Sequence, residues 1–459
     1  MKMKLNKPMI ATILALAWPT MLEQLMQTAV QYIDTAMVGS LGTQATAAVG
    51  ATTTVNWLIG STISALGVGF LSYIARAYGA GDKKAASGAV AQAVLVTLIA
   101  GTFFTALTLS LSGMIPVWMQ VDQPIRELAS RYFFILYLPM LPRTATIIFG
   151  TALRAAVDSK TPMKVGVVVN LVNVVLNFLL IYPTRELTLF GVSFTMPGAG
   201  WGVVGAAAAS AIAFLVGGIH ITLVLWRHPV ISPRGCSLKP DGAILKPCLK
   251  VAMPNMLQRF GTSLGYVAFA AMINSLGEVA TAAHTIANTV ESAFYIPGYG
   301  MQTAAATLAG NAFGANDRQR MKDLTAMFIP IEFFLMILSG GALFFAARPL
   351  VDIFSDSAEV IALGTSVLQM VALSEPFYGF SIIIEGMMLG VGNTKRPFAY
   401  NIIGMWGMRI VGTFLCTQVL GLGLVAAWAC MIAHNMLLFV LYLYSHLTNS
   451  WNPLEVKRT

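Results

Sequence analysis

Residues 19–42 read PTMLEQLMQTAVQYIDTAMVGSLG. They lie within an apolar run that begins near Pro8 and is long enough to cross a bilayer, which takes about 20 helical residues. Yet the run carries two carboxylates, Glu23 and Asp34, and the amides Gln24, Gln27 and Gln31. A charge near the centre of a membrane helix costs roughly 2.5–3.5 kcal/mol on insertion scales, so acids there commonly mark an ion or substrate pathway. At about 100° per residue, Gln27, Gln31 and Asp34 share one face, with Glu23 and Gln24 one turn above. Such a stripe should face a bundle interior or a wet cavity and not lipid. The competing reading for each acid is a carboxylate hydrogen-bonded for packing alone.

Composition places the whole chain in the same setting. Of 459 residues, 57% are hydrophobic and 10% charged, against about 25% charged in a soluble domain, so the expectation is an all-α polytopic membrane protein. Spanning stretches recur at 10–38, 46–74, 88–115, 127–151, 163–182, 201–226, 250–274, 281–309, 324–346, 361–390, 398–420 and 423–446. That gives twelve helices. Pro139 with Pro142, Pro297 with Gly298 and Gly300, and Pro376 are natural bending points within them. The start, MKMKLNKPMI, is basic before an apolar run, but Pro19 and Glu23 interrupt that run, so the first helix reads as retained.

The formal charge of +9 is distributed in a way that speaks of topology, not nucleic acid. Alternate connections carry Lys2, Lys4 and Lys7; Arg76, Lys83 and Lys84; Arg154, Lys160 and Lys164; then Arg227 through Lys250. The series continues with Arg318, Arg320 and Lys322, then Lys395 and Arg396, then Lys457 and Arg458. The intervening connections hold few cations beside Asp122, Glu186, Asp352, Asp356 and Glu359. The positive-inside rule puts the basic set and both termini in the cytoplasm, and the location at the plasma (inner) membrane. A shift of 235 positions lays Pro19 on Pro254, SLGTQATAA on SLGEVATAA and AYGAGD on AFGAND without a gap. Roughly 18 of the 64 positions from Pro19 to Asp82 are then identical, and a fixed offset is the signature of a repeat. The same shift carries Asp158-Ser159-Lys160-Thr161-Pro162 onto Asn393-Thr394-Lys395-Arg396-Pro397. Six spans per repeat make the repeats parallel, an arrangement found in secondary transporters, with substrate between the halves. The expected domains are an amino-terminal lobe at 1–226, an inter-lobe loop at 227–249, a carboxy-terminal lobe at 250–446 and a tail at 447–459.

These motifs, together with AHTIANTVESAFYIPGYG, resemble the multidrug and toxic compound extrusion (MATE) transporters over almost the whole chain, from about Pro19 to His446. The resemblance implies two six-helix lobes facing each other in a V around a central cavity. It also implies export of amphiphilic or cationic small molecules, driven by inward H⁺ or Na⁺. It implies a cation-coupling site at Asp34, Asn173, Asn177, Ser210 and Ala206. The residue types suit that role, since carboxylate, amide and hydroxyl oxygens serve a hard cation such as Na⁺, whereas a proton needs only a buried acid. Relatives often carry aspartate where Asn177 stands, so this chain has one titratable group there instead of two, and H⁺ is favoured over Na⁺. Interhelical hydrogen bonding is the alternative role for the two asparagines.

The second lobe does not copy the acids: Asp34 meets Phe269 and Glu23 meets Gln258. Candidates for lining the substrate cavity or for coupling are Glu23, Gln31, Gln258, Glu291, Tyr295, Gln302, Glu375, Glu385 and Arg409, with Glu385 and Arg409 expected to form an ion pair. His284 and His434 read as helix-packing donors, and Cys236, Cys248, Cys416 and Cys430 lack metal or disulfide spacing. No metal other than Na⁺ at Asp34, Asn173 and Asn177, no cofactor and no nucleic-acid partner are expected. The glycine loops lack the Lys and Ser/Thr of a phosphate-binding loop, which argues against direct ATP drive. A lipid-linked flippase of the same superfamily and, further off, a membrane-embedded enzyme are the alternatives. The expected state is a monomer in the lipid bilayer.

Overall fold

A computed structural model describes residues 7–189 and 191–455, so Lys2, Lys4, Lys457 and Arg458 of the basic series lie outside the described residues. The first half contains α1 (Lys7–Gly39), α2 (Thr43–Gly79), α3 (Lys83–Leu111), the short α4 (Ile115–Trp118), α5 (Gln123–Tyr137), α6 (Met140–Ala155), α7 (Lys160–Leu180) and α8 (Gly202–Arg227). The second contains α9 (Gly242–Asn274), α10 (Glu278–Phe294), α11 (Ile296–Gly314), α12 (Arg318–Asp352), α13 (Ala358–Ala372) and α14 (Glu375–Gly390). It ends with α15 (Lys395–Ile402), α16 (Val411–Phe414) and α17 (Leu424–Leu447). π-Helical turns at Ile403–Ile410 and Leu415–Val419 join α15 and α16 into one rod.

All twelve expected stretches are helical. Eight of the described helices are long and apolar enough to span alone, and two bent pairs raise that to ten. The stretches at 250–274 and 281–309 complete the set with more polar helices, one of them divided at Tyr295. The breaks fall where proline was expected to bend the chain. Pro139 caps α6, and Pro297 and Pro376 stand in the first turns of α11 and α14. Proline lacks an N–H and fits the first turn but not the interior, so the α5–α6 pair bends by 50° and the α13–α14 pair by 53°. One element was not foreseen. The connection from α7 to α8 forms an antiparallel hairpin, β1 (Pro183–Leu189) with β2 (Val192–Ala199), pairing Pro183 with Ala199 and Thr188 with Ser193.

The repeat is visible in local detail. Asp82 accepts from Ala85 N at 2.9 Å and its counterpart Asp317 from Arg320 N at 2.9 Å, each capping the following helix. Just before these caps the two halves interlock. A Cβ on Gly79 would overlap the carbonyl oxygen of Asn311, and one on Gly314 would overlap the carbonyl oxygen of Arg76. Residues 79 and 314, like 76 and 311, are 235 apart, so the contact is reciprocal, as a two-fold arrangement requires. Only glycine allows helix backbones this close.

The apolar cores follow the same geometry. Near the basic connections the cores mix the halves: Cys248, Ala306 and Leu389 join a first-half cluster, while Ile13, Leu16 and Ala17 join Met301, Ala304 and Leu308. Toward the other end each half keeps its own core. Met37, Val38, Ala45, Ile181, Val203 and Ala206 form one, and Phe269, Ile273, Ala283, Leu343 and Trp428 belong to the other. The halves therefore join at the basic end.

Candidate functional site

Asp34 lies five residues before the end of α1, about 8 Å along the axis, so it sits in the outer part of the helix and not at its midpoint. α1 packs there against α7 and α8. The four-residue spacing of Asn173 and Asn177 puts both on one face of α7, and both are buried. The Asn177 amide donates to Asp34 Oδ1. With the Asn173 amide turned to satisfy its neighbours, Nδ2 lies 2.9 Å from Asp34 Oδ1, and the Ser210 hydroxyl donates to its carbonyl at 3.0 Å. Ala206, one turn before Ser210, is buried beside Met37, Val38 and Val203.

Amides thus gather around one carboxylate. Among the described residues Asp34 has no Lys, Arg or His within ion-pair distance. Its negative charge is solvated by amide dipoles and left uncompensated, which suits a site that takes up a proton or a small cation. In the second half Phe269 holds the equivalent position, almost fully buried against His284 at a ring distance of 5.6 Å, so that half has no matching site.

Sequence reasoning missed several neighbours. Tyr182 lies 2.7 Å from Ser40 Oγ and donates to the Met37 carbonyl at 3.2 Å, tying the end of α1 to the end of α7. Tyr132 packs on the same apolar patch. Arg143 donates to Asn56 Oδ1 at 2.6 Å, Tyr137 donates to the same oxygen at 3.0 Å, and the guanidinium lies 4.8 Å from the Phe214 ring centre. A lone arginine in the apolar run LPMLPRTAT was the available signal for this cluster.

The other candidates are scattered. Glu23 forms an ion pair with Arg154 of α6 at 2.5 Å, with side chains only 13% and 16% exposed. The Arg154 carbonyl also accepts from Thr307 of α11, so this pair stands at the junction of the halves. Removing one member leaves a mostly buried charge unpaired, which costs about 3 kcal/mol at the lower end of measured cases. Glu23→Ala and Arg154→Ala should each lower the melting temperature, and the double variant should lose less than their sum. Strictly additive losses in melting experiments would remove the pair from the account.

The expected ion pair between Glu385 and Arg409 does not form. Glu385 accepts from Gln258 Nε2 at 2.7 Å and Asn401 Nδ2 at 3.4 Å. Arg409 lies over the rings of Phe269 and Tyr266, at 4.2 and 4.8 Å, and donates to Met431 Sδ at 3.0 Å. The reason is depth. Counted from the connection between α14 and α15, Glu385 is about 8 Å deep and Asn401 about 9 Å, but Arg409 is about 21 Å.

Glu291 accepts from the Tyr295 hydroxyl at 2.8 Å, and Tyr295 packs edge-on to Tyr378. Glu375 is fully buried at the start of α14. Gln302 lies on α11 against Gly386, and Gln31 is exposed on α1. The reading overlooked Glu332, a fully buried acid on α12 two residues after Pro330. His284 of α10 accepts from Trp428 Nε1 of α17 at 3.2 Å through Nδ1, a contact between packed helices. The four cysteines are free.

A family model described as MatE matches residues 19–179 and again 254–415, starting 235 positions apart, which is the offset of the repeat. A probable multidrug resistance protein NorM of Thermotoga maritima is 27% identical over 444 residues, covering 97% of this chain and 93% of that protein. The multidrug resistance protein MdtK of Edwardsiella ictaluri is 24% identical over 404 residues, covering 86% of this chain and 85% of that one. Among solved structures, a transporter of the MOP superfamily from Pyrococcus furiosus, whose binding pocket is described as reversed in polarity, superposes with a TM-score of 0.88. The match is at 24% identity over 100% of both chains. A multidrug resistance MATE family transporter in an outward-facing conformation gives 0.86 at 23% identity, covering 98% of this chain and 97% of that one.

Proposed function

The chain belongs to the MatE family, whose members are membrane transporters and not enzymes, and from that premise we propose that it is a cation-coupled antiporter exporting amphiphilic or cationic small organic molecules. The observation that carries the reading is the Asp34 cluster: one carboxylate and two buried asparagines with, among the described residues, no cation within reach and no counterpart in the second half. A transporter exporting against a gradient needs a group that binds the driving ion and alters the balance between its two accessible states. Multidrug resistance, the role named for the relatives from T. maritima and E. ictaluri, supports that substrate class.

Topology agrees with export. The basic connections face the cytoplasm of a plasma (inner) membrane by the positive-inside rule, and the halves join at that end. The opposite ends keep separate cores, and Gln31 and Tyr32 of α1 are exposed there. That arrangement supports a conformation open to the outside.

H⁺ is the favoured coupling ion. The Asn177 amide turns its NH₂ group toward Asp34 Oδ1, so Na⁺ at that oxygen would require this amide to rotate and present its carbonyl. A proton can settle on Oδ2 with the amides unchanged, and Asn177 supplies no second carboxylate. Dye efflux from proteoliposomes should follow an imposed pH gradient with Na⁺ absent. Asn177→Asp, which restores a second acid, should make the rate respond to Na⁺. Wild-type export that requires Na⁺ and ignores the pH gradient would overturn H⁺ coupling.

A further inference from the structure

Two of the four free cysteines meet in the fold, although they stand 14 residues apart in the chain. Cys416 lies in the π-helical turn Leu415–Val419 and Cys430 in α17, and Cys430 Sγ donates to Cys416 Sγ at 3.7 Å. The backbone brings them together. Residues 420–423 turn the chain sharply between the two elements, with Leu422 N donating to the Cys416 carbonyl at 2.8 Å. Gly412 and Cys416 are four apart and share the face of the rod that α17 covers. A Cβ on Gly412 would lie 3.2 Å from Cys430 Sγ and 3.5 Å from Cys430 Cβ, so the glycine is what admits Cys430 to this face.

The geometry is close to that of a cross-link. A disulfide has an S–S bond of about 2.05 Å, so the two sulfurs must approach by about 1.7 Å, a movement that rotation about their Cα–Cβ bonds supplies. Thiols are weak donors and weak acceptors, so the reduced pair gains little from standing together. Both side chains are partly exposed, and Cys430 is about 9 Å along α17 from the connection that precedes it. The positive-inside rule turns that connection away from the cytoplasm, to the side on which disulfides persist. Cys236 and Cys248 stand at the basic end instead.

We propose that Cys416 and Cys430 form a redox site, which a small disulfide oxidises to a cross-link between the last two spans. One thiolate of the pair attacks a sulfur of the oxidant R–S–S–R, giving a mixed disulfide and releasing RS⁻. The second thiolate attacks the protein sulfur of that mixed disulfide, closing the Cys416–Cys430 bond and releasing the second RS⁻. The two protons lost by the cysteines pass to the two leaving thiolates. The cysteines are thus oxidised by two electrons and the oxidant is reduced by two. Gln418, in the same π-helical turn, donates to Ser275 at the end of α9 at 2.8 Å. Arg409, earlier on the rod, donates to Met431, the residue after Cys430. The cross-link therefore fastens the rod to α17 beside contacts that already tie it to α9, and it restricts the unfolded chain.

The test uses the full chain in detergent, carrying Cys236→Ser to remove the thiol of the inter-lobe loop. The reduced protein is treated with 2-hydroxyethyl disulfide, a small neutral oxidant, then denatured and alkylated with N-ethylmaleimide. Intact mass should show three maleimides before oxidation and one after it, and proteolysis should give one cross-linked pair of peptides holding Cys416 and Cys430. Melting temperature should rise by about 3 °C on oxidation and return with dithiothreitol. Cys416→Ser and Cys430→Ser, added singly, should give neither the cross-linked peptides nor the rise. Three maleimides after oxidation, a mercaptoethanol adduct in place of the cross-link, or a cross-link to Cys248 overturns the proposal, as does an unchanged melting temperature. Dye export driven by a pH gradient tests the Asp34 reading separately and does not depend on this outcome.

Discussion

Asp34→Asn is expected to reduce gradient-driven export to the level of passive leak while leaving the fold intact. The substituted amide keeps the same shape and retains an oxygen for the NH₂ groups of Asn173 and Asn177, so the packing of α1 on α7 survives. What it loses is the ability to carry a negative charge and to bind and release a cation. Stability should therefore change by less than about 1 kcal/mol, within the ordinary range for single substitutions, while uphill transport stops. Purified protein in proteoliposomes under an imposed pH gradient gives the rate, and the melting curve in detergent gives the control. Uphill export at the wild-type rate by Asp34→Asn would mean that coupling resides elsewhere, and the buried acids Glu291, Glu332 and Glu375 of the second half would be the next places to look.

Gly314→Ala and Gly79→Ala are expected to disable transport from a position far from that site. Each added Cβ would overlap a backbone carbonyl of the facing helix, Arg76 for one and Asn311 for the other. A backbone oxygen cannot move aside as a side-chain end can, so α2 and α11 must separate at the basic end. Export should fall by tenfold or more, because one of the two alternating states is lost. Cys248 offers a native reporter. It is almost fully buried in a core shared by the halves, and its carbonyl faces Gly69 of α2. With Cys236, Cys416 and Cys430 changed to Ser, a membrane-impermeant maleimide should leave Cys248 unlabelled in the otherwise native chain and label it in Gly314→Ala. Full transport with Cys248 still protected would show that the glycine contact is not what closes this end.

Much of the architecture was legible in the chain because membrane helices obey constraints that a sequence displays. Backbone groups must be satisfied within each span, so the apolar runs gave twelve helices, and Pro139, Pro297 and Pro376 gave their breaks. The 235-residue offset gave two parallel halves, and it reappears in paired details such as the Asp82 and Asp317 caps and the Gly79 and Gly314 contacts. Asp34 stood out as an acid within an apolar run, Asn173, Asn177 and Ser210 were added by a family likeness, and the fold brings them into one hydrogen-bonded group.

What the sequence could not give is which polar groups share a depth and a face once the helices pack. Glu385 and Arg409 lie on consecutive spans with opposite charges, yet antiparallel packing separates them by about 13 Å along the axis, because depth is counted from their common connection. Glu385 instead meets Gln258 and Asn401, and Arg409 rests on Phe269 and Tyr266. Glu23, read as a candidate for the substrate cavity or for coupling, acquires Arg154 from a helix more than 130 residues away. The cavity at the basic end draws Arg76, Lys250, Lys395 and Trp451 from four distant segments, and no local pattern announces it. Periodicity and repeat offset are properties of neighbours in the chain and were written in the sequence by itself. Ion pairs and cavities depend on the relative height and rotation of separate helices, which only their side-chain packing in the folded protein decides.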